Sequence, residues 1–316
     1  MKIAIAGSGA MGCRFGALLK EAGHDVILVD EWAIHIEAIN QRGLEIRNET
    51  GSRFLPIKAC LPPEVTEIMD LVIVFTKAML TDALMQKCQH FINDRTLVLT
   101  LQNGLGNIEI LEKSIPRDNL IVGVTTYGTE LLGPGIIQAF GSGHNQIMQV
   151  DGKVTDDIKK LAEILIFAGM DTKVSENAFS EIWNKVAFNS VLNTLCTLME
   201  NTVGAVGHYS RFHEVIDHIV EEIIEVGYAE GVSLNKDDIF KMIINVIPPD
   251  MAGNHLPSMY QDMENNRQTE IDFLNGAIVN LAKKHNIAVP MNLLITHLIK
   301  MKEEIRFYQS QQEVKK

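Results

Sequence analysis

Lys185, Asn189 and Asn193 stand at i, i+4 and i+8 within Trp183-Asn184-Lys185-Val186-Ala187-Phe188-Asn189-Ser190-Val191-Leu192-Asn193. That spacing puts one ammonium and two amides on a single helix face. Their neighbours Val186, Ala187, Phe188, Val191 and Leu192 are apolar, so the helix is expected to be substantially buried. Buried polar groups need partners. A polar substrate would supply them, and so would a structural network between helices; spacing alone does not choose. A lysine held this way could protonate an oxygen on which negative charge develops.

A second pattern lies at the start of the chain, where Gly7-Ser8-Gly9-Ala10-Met11-Gly12 follows the apolar segment Lys2-Ile3-Ala4-Ile5-Ala6. Gly7 permits a tight turn, Gly9 lets a pyrophosphate approach the backbone, and Gly12 lets the following helix pack close to the strand. Three glycines can also mark a plain turn. The strand before them and the helical stretch after them, which runs to Ala22 and meets Gly23, favour a dinucleotide site. Asp30 ends the next strand, Val26-Ile27-Leu28-Val29, and a carboxylate there takes the hydroxyls of the adenosine ribose. The competing reading is a solvated acidic pair with Glu31. Flavin-binding folds share this opening, but no second glycine-aspartate signature follows late in the chain, so a nicotinamide is preferred.

Two further side chains sit where such a fold presents ligands, beyond the carboxyl ends of strands. Asn103 lies in Gln102-Asn103-Gly104-Leu105-Gly106 and Lys77 in Phe75-Thr76-Lys77, each just past a strand candidate. Glu270 lies in Thr269-Glu270-Ile271-Asp272. Taken singly, each also fits a turn, a surface lysine or a solvated carboxylate. His213 and His218 share the polar side of one helix with Glu214 and Asp217, an arrangement that favours no metal.

The elements needed to hold these residues are legible in outline. Strand candidates recur at 71–75, 96–101 and 120–124 with helical pattern between them, and they are apolar throughout. This predicts an α/β Rossmann-type parallel sheet covered on both faces. Residues 44–58 alternate around Glu49-Thr50-Gly51 and predict an inserted hairpin. From about residue 155 helical periodicity takes over, most clearly in the stripe Phe212, Val215, Ile216, Ile219, Val220, Ile223 and Ile224. Pro248-Pro249 predicts a loop, a second helical block begins near Tyr260, and the polar tail from Arg306 is expected to fray. We divide the 316 residues into a dinucleotide-binding Rossmann domain over 1–170 and a helical substrate and catalytic domain over 171–316.

Composition narrows the partners. Hydrophobic residues make up 46% of the chain, enough for packed cores, and the 14 methionines fall mostly in apolar stripes. A net charge of −12 with no basic cluster argues against nucleic acid. Cys13, Cys60, Cys88 and Cys196 are scattered and form no CxxC pair, which predicts neither a disulfide framework nor a zinc site and fits a reducing compartment. No apolar run has the roughly 18 residues a membrane span needs. The glycine motif begins at residue 7, too early for a removable signal, so a cytoplasmic location is expected.

Taken together these segments resemble the ketopantoate reductase (2-dehydropantoate 2-reductase) family. GSGAMG at 7–12, TKA at 76–78, QNGLG at 102–106, WNKVAFNSVLN at 183–193, PSMYQD at 257–262, TEIDFLNG at 269–276 and IAVPMN at 287–292 carry the resemblance. It implies a Rossmann domain followed by an all-helical domain similar to the C-terminal domain of 6-phosphogluconate dehydrogenase. It further implies NAD(P)H-dependent reduction of a 2-oxo acid to a D-2-hydroxy acid, ketopantoate to pantoate, in pantothenate biosynthesis. Lys185 would be the general acid and Glu270 its partner, also contacting substrate or cofactor. Asn189, Asn193, Ser258 and Asn103 would bind substrate. Gly7, Ser8, Gly9, Ala10, Met11, Gly12, Asp30, Lys77, Asn103, Gly128 and Glu270 would face the cofactor, and no metal is implied. Typical members place an NADPH-friendly residue where this chain has Asp30-Glu31, so the family default is NADPH and Asp30 favours NADH. A further substrate asparagine of the family is replaced by Val203. Both departures are similar to a branch of NAD-dependent D-2-hydroxyacid dehydrogenases that act on bulky 2-oxo acids such as benzoylformate. A reading of another class, a nicotinamide-sensing binding protein without catalysis, makes no use of Lys185 or Glu270. The expected partner is a small 2-oxo acid, and a homodimer is left open.

Overall fold

The computed structural model describes residues 1–313 of the chain. They form two compact units, one of Met1–Gln102 with Asn107–Glu181 and one of Asn103–Gly106 with Ile182 onward.

The first unit alternates strands and helices: β1 (Lys2–Ala6), α1 (Ala10–Glu21), β2 (Asp25–Val29), α2 (Ala33–Arg42), β3 (Leu44–Asn48), β4 (Gly51–Leu55), β5 (Lys58–Cys60), β6 (Leu71–Val74), α3 (Thr81–Cys88), β7 (Leu97–Thr100), α4 (Asn107–Leu111), β8 (Leu120–Thr125), β9 (Gly128–Gly133), β10 (Ile136–Phe140), β11 (His144–Gln149), α5 (Asp156–Phe167) and β12 (Asp171–Val174). The main sheet has the order β12-β11-β8-β7-β6-β1-β2-β5. Its six strands from β8 to β5 run parallel, and β11 is antiparallel to β8. The parallel strands are apolar because both faces are buried; β6 and β8 are buried at every residue.

The hairpin expected over 44–58 is present as β3 and β4, but it is half of a second sheet, ordered β4-β3-β10-β9. β10 joins β3 in parallel, with Ile136 opposite Glu45. The units part at residue 181 and not at 170, because β12 pairs with β11 and extends the first sheet past the expected boundary.

The helical unit contains α6 (Ala178–Met199, which begins at the boundary), α7 (Val203–Gly207), α8 (Phe212–Ala229), α9 (Lys236–Ile244), α10 (Ser258–Glu264), α11 (Asn275–His285) and α12 (Pro290–Glu313). Its core combines Val186, Val191 and Leu192 of α6 with Ile216, Ile219, Val220 and Ile223 of α8 and with residues of α11 and α12. The predicted stripe on α8 therefore faces inward. The fraying expected from Arg306 is not seen among the described residues, where α12 continues to Glu313; residues 314–316 lie outside them. Helix-forming Gln, Glu and Arg fill it, and Arg306 is tied to Glu264 at 2.5 Å. Among the described residues no helix is long and apolar enough to cross a membrane.

Candidate active site

In the first unit, the segments after β1, β6, β7 and β8 leave the same edge of the sheet, and they carry the glycine turn, Lys77, Gln102 and Gly128. Gly7 adopts φ +93°, and a methyl group there would lie 2.2 Å from the Thr76 backbone nitrogen. One at Gly12 would lie 2.1 Å from the Gly7 carbonyl oxygen. Only glycine lets α1 start this close to β1 and β6. Gly9 differs: nothing lies within 4 Å of the position its Cβ would take. It is also the N-cap of α1, no side chain caps it, and no acidic residue occupies the first turn. An open, uncapped helix N-terminus is the geometry that receives a pyrophosphate, so these residues fit a dinucleotide. The Gly23 stop is a Schellman turn, with Gly23 N–H donating to Lys20 O at 3.0 Å and His24 N–H to Leu19 O at 3.1 Å.

Asp30 lies at the end of β2 and is half-buried. Its Oδ2 accepts from Ser8 N–H at 2.7 Å and from Ser8 Oγ at 3.2 Å. Its Oδ1 accepts from the backbone N–H groups of Glu31 at 2.8 Å and Trp32 at 3.0 Å. The carboxylate thus ties the glycine turn to β2 and is held in a fixed place. Glu31 is turned away and paired with Lys87.

Two positioning residues had no signal in the sequence. Gln102 donates from its amide to Thr76 O at 2.7 Å and Thr81 Oγ1 at 2.8 Å, holding the segment that ends in Lys77. Arg14, in α1, stacks 4.7 Å over Tyr127 and donates to the carbonyl of Gly128 at 2.6 Å. Each contact joins residues far apart in sequence, so periodicity cannot report it.

In the helical unit, Lys185, Asn189 and Asn193 share one face of α6. Asn189 is 6% exposed and Asn193 7%. Among the described residues neither side-chain amide is hydrogen-bonded to the protein. A structural network between helices would have paired them. The threonines of α6 behave differently. Thr194 and Thr197 each return their hydroxyl to the carbonyl four residues earlier, at 2.6 Å. Ser190 is anchored through its carbonyl, which accepts from Asn275 Nδ2 at 3.2 Å. Asn275 also donates to Asn292 Oδ1 at 3.0 Å, and Asn292 donates to Glu222 at 2.7 Å. This buried chain ties α6 to α11, α12 and α8.

Burial pushes the Lys185 ammonium down to about 8, against the opposing pull of the Glu270 carboxylate. Glu270 is itself buried and opens the 3-10 turn Ile271–Phe273. The segment before it is held from α12, where the Glu303 carboxylate accepts the Thr269 N–H at 2.7 Å. The loop of Asn103 packs on the same turn: Leu105 N–H donates to Phe273 O at 2.8 Å. Gly104 has φ +91°, and a methyl group there would lie 2.5 Å from that oxygen. Lys185, Glu270 and the Asn103 loop therefore belong to one unit. Ser258 is exposed in the first turn of α10. Val203, at the start of α7, is buried and gives its N–H to His255 O at 3.2 Å.

Comparison with known proteins decides the family. The ketopantoate reductase PanE/ApbA model matches residues 3–152, and the ketopantoate reductase PanE/ApbA C-terminal model matches residues 177–303. The chain belongs to the ketopantoate reductase family. It is an oxidoreductase, and the family is nicotinamide-dependent. A 2-dehydropantoate 2-reductase of Lactococcus lactis is 36% identical over 308 residues, covering 96% of this chain and 99% of the relative. One from Streptococcus pyogenes is 37% identical over 307 residues, with the same coverage. The ternary structure of a D-mandelate dehydrogenase with NADH and anilino(oxo)acetate is 36% identical, covers 97% of this chain and 99% of its own, and superposes with a TM-score of 0.94. The Rossmann unit followed by a helical unit is thus the family arrangement.

If Lys185 and Glu270 act as one device in this reductase, their losses cannot add. The Lys185→Ala/Glu270→Gln double variant should be little slower than the worse single variant in kcat/KM. Fully multiplied losses would show two independent groups.

Proposed function

We propose that this protein reduces a 2-oxo acid to a D-2-hydroxy acid, with ketopantoate as substrate, NADH as preferred donor and Lys185 as general acid. The observation that carries this reading is the α6 face: a lysine whose proton affinity is lowered by burial, beside two buried amides with no protein partner. A binding protein that only senses a nicotinamide has no use for such a lysine.

A bound nicotinamide would supply hydride for the keto carbon. Alkoxide charge then grows on the carbonyl oxygen, where Lys185 as ammonium stabilises it and delivers the proton from Nζ. Glu270 opposes the desolvation of that ammonium and keeps it protonated at neutral pH. Asn189 and Asn193 offer amide donors to the substrate, with Ser258 and Asn103 completing its recognition. Within the first unit, the backbone of Gly7 to Gly12 would hold the pyrophosphate, with Lys77 and Gly128 at the nicotinamide end.

The donor preference rests on Asp30. Four protein donors hold its carboxylate, so it cannot swing into solvent when a 2′-phosphate arrives. Unit charges about 4 Å apart at an effective dielectric near 20 repel by roughly 4 kcal/mol before screening. A third of that gives about a tenfold preference for NADH. Asp30→Asn should therefore raise kcat/KM with NADPH relative to NADH by about tenfold. A parent that prefers NADPH, with no change in that ratio on substitution, would remove Asp30 from the site.

A second substrate reading is supported by the D-mandelate dehydrogenase likeness, since that relative was solved with NADH and anilino(oxo)acetate. Steady-state rates with ketopantoate and with benzoylformate, each with NADH and NADPH, separate the two. Turnover of neither would favour the sensing protein.

A further inference from the structure

His35, in α2, has no exposed surface, and its ring joins two turns far apart in sequence. Its Nδ1 accepts from the Gly135 N–H at 3.0 Å, in the turn between β9 and β10. A backbone N–H can only donate, so the proton of the neutral ring is on Nε2. Nε2 lies 3.5 Å from Cys13 Sγ, and Cys13 Sγ lies 3.0 Å from the Ser8 carbonyl oxygen. Each donor therefore has its acceptor: Gly135 N–H gives to His35, His35 Nε2–H to Cys13, and Cys13 S–H to Ser8 O. His35, Cys13 and Ser8 are all fully buried. Trp32 lies flat over the imidazole, with ring centroids 5.1 Å apart and planes at 6°. Burial lowers the proton affinity of the ring, against the pull of Asp30 and of the Ser8 carbonyl, and it pushes the Cys13 thiol well up. The ring stays neutral and the sulfur keeps its proton, as this chain of donors requires.

The chain ends on the peptide between Ser8 and Gly9, which is trans. In a planar trans peptide the C=O and the following N–H point in opposite directions. A Ser8 carbonyl drawn inward by Cys13 thus turns the Gly9 N–H outward. Asp30 holds the same residue from its other side, through Ser8 N–H at 2.7 Å.

We propose that His35 and Cys13 are positioning residues for the cofactor: by fixing the Ser8 carbonyl they aim the Gly9 N–H at the pyrophosphate, given that this turn receives it as described above. The turn between β9 and β10 is the anchor. Gly135 packs at φ +70° on α2, where an added methyl group would lie 3.3 Å from Ala38 Cβ, and its carbonyl accepts from Glu45 N–H at 2.9 Å. The second sheet therefore reaches the glycine turn through one imidazole and one thiol. An amide aimed before the cofactor arrives needs no ordering at binding.

Titration calorimetry of the full chain with NADH and with NADPH reads this without turnover. The two ends of the imidazole can be removed separately. His35→Asn keeps an amide oxygen near Nδ1 for the Gly135 N–H but leaves Cys13 without its donor. His35→Gln brings an amide N–H near Nε2 but gives up the Gly135 acceptor. His35→Asn should raise Kd about tenfold, and His35→Gln should stay within about threefold of the parent. The melting temperatures should rank the other way, because His35→Gln leaves a buried backbone N–H unpaired. Cys13→Ala should match His35→Asn, and Cys13→Ser should restore affinity, since a hydroxyl also donates to Ser8 O. This second pair carries the test if His35→Asn does not fold. The double variant His35→Asn/Cys13→Ala should bind no more weakly than either single one. The change should be equal for NADH and NADPH, which share the pyrophosphate. Gly9→Asp caps α1 and puts a negative charge where the pyrophosphate would lie, so it should abolish binding in a folded chain. Binding that survives Gly9→Asp takes the pyrophosphate away from this turn, and the proposal with it. Binding lost in Gly9→Asp but unchanged in His35→Asn and Cys13→Ala overturns the positioning role alone. So does a Kd that rises more in His35→Gln than in His35→Asn, or a change confined to NADPH.

Discussion

Lys185→Ala should lower kcat for 2-oxo acid reduction by about 10²- to 10⁴-fold, the range that a positioned general acid supplies. Cofactor affinity, measured by fluorescence titration, should stay within a few-fold. The parent's pH profile carries the same information. Burial lowers the lysine from its ordinary 10.5 to about 8, so below pH 8 it is ammonium and able to donate. The acid limb of kcat/KM for reduction should therefore be flat up to about pH 8. Above that the rate should fall tenfold per pH unit as the proton is lost. In the reverse direction neutral lysine must accept the proton, so oxidation of the hydroxy acid should rise to a plateau above pH 8. Lys185→Ala should abolish the inflection in both directions. An inflection that persists, or a kcat that barely moves, would place the acid elsewhere.

The second large effect is expected at Asn189 and Asn193. A hydrogen bond to a charged group contributes roughly 1.5–3 kcal/mol, so each Asn→Ala change should lower kcat/KM by about 10- to 150-fold. Stability should move the other way or not at all. The two amides form no hydrogen bond to the protein, so removing either breaks no contact that holds the fold. The melting temperature of either variant should equal or exceed the parent's. A fall of several degrees with normal kinetics in the folded fraction would assign both residues to the scaffold.

Asn275 provides the contrast. It is fully buried and supports α6 through the Ser190 carbonyl and Asn292. Its loss would be a loss of packing and register, as expected for a residue that acts through another.

What the sequence by itself determined is what short-range geometry encodes. A helix places residues i, i+4 and i+8 on one face wherever it packs, so Lys185, Asn189 and Asn193 could be grouped before any fold was known. A strand, three glycines at fixed intervals and a helix specify their turn within some 20 residues, and the close approaches of Gly7 and Gly12 match that reading. The α8 stripe and the apolar parallel strands were legible for the same reason. Only the tertiary structure decided matters that depend on pairing across long separations. β10 lies on β3 about 90 residues away, so the inserted hairpin became half of a second sheet. β12 escaped notice because an edge strand of four residues, with a single one buried, carries almost no periodic signal. Gln102 and Arg14 act through contacts that no local pattern contains. Asp30 was visible as a carboxylate at a strand end, but its four protein donors, and hence its fixed place, come from the way the glycine turn folds back on β2. The proton affinity of Lys185 was invisible for the deepest reason: it is set by the water that the whole helical unit excludes and by a carboxylate 85 residues further along the chain.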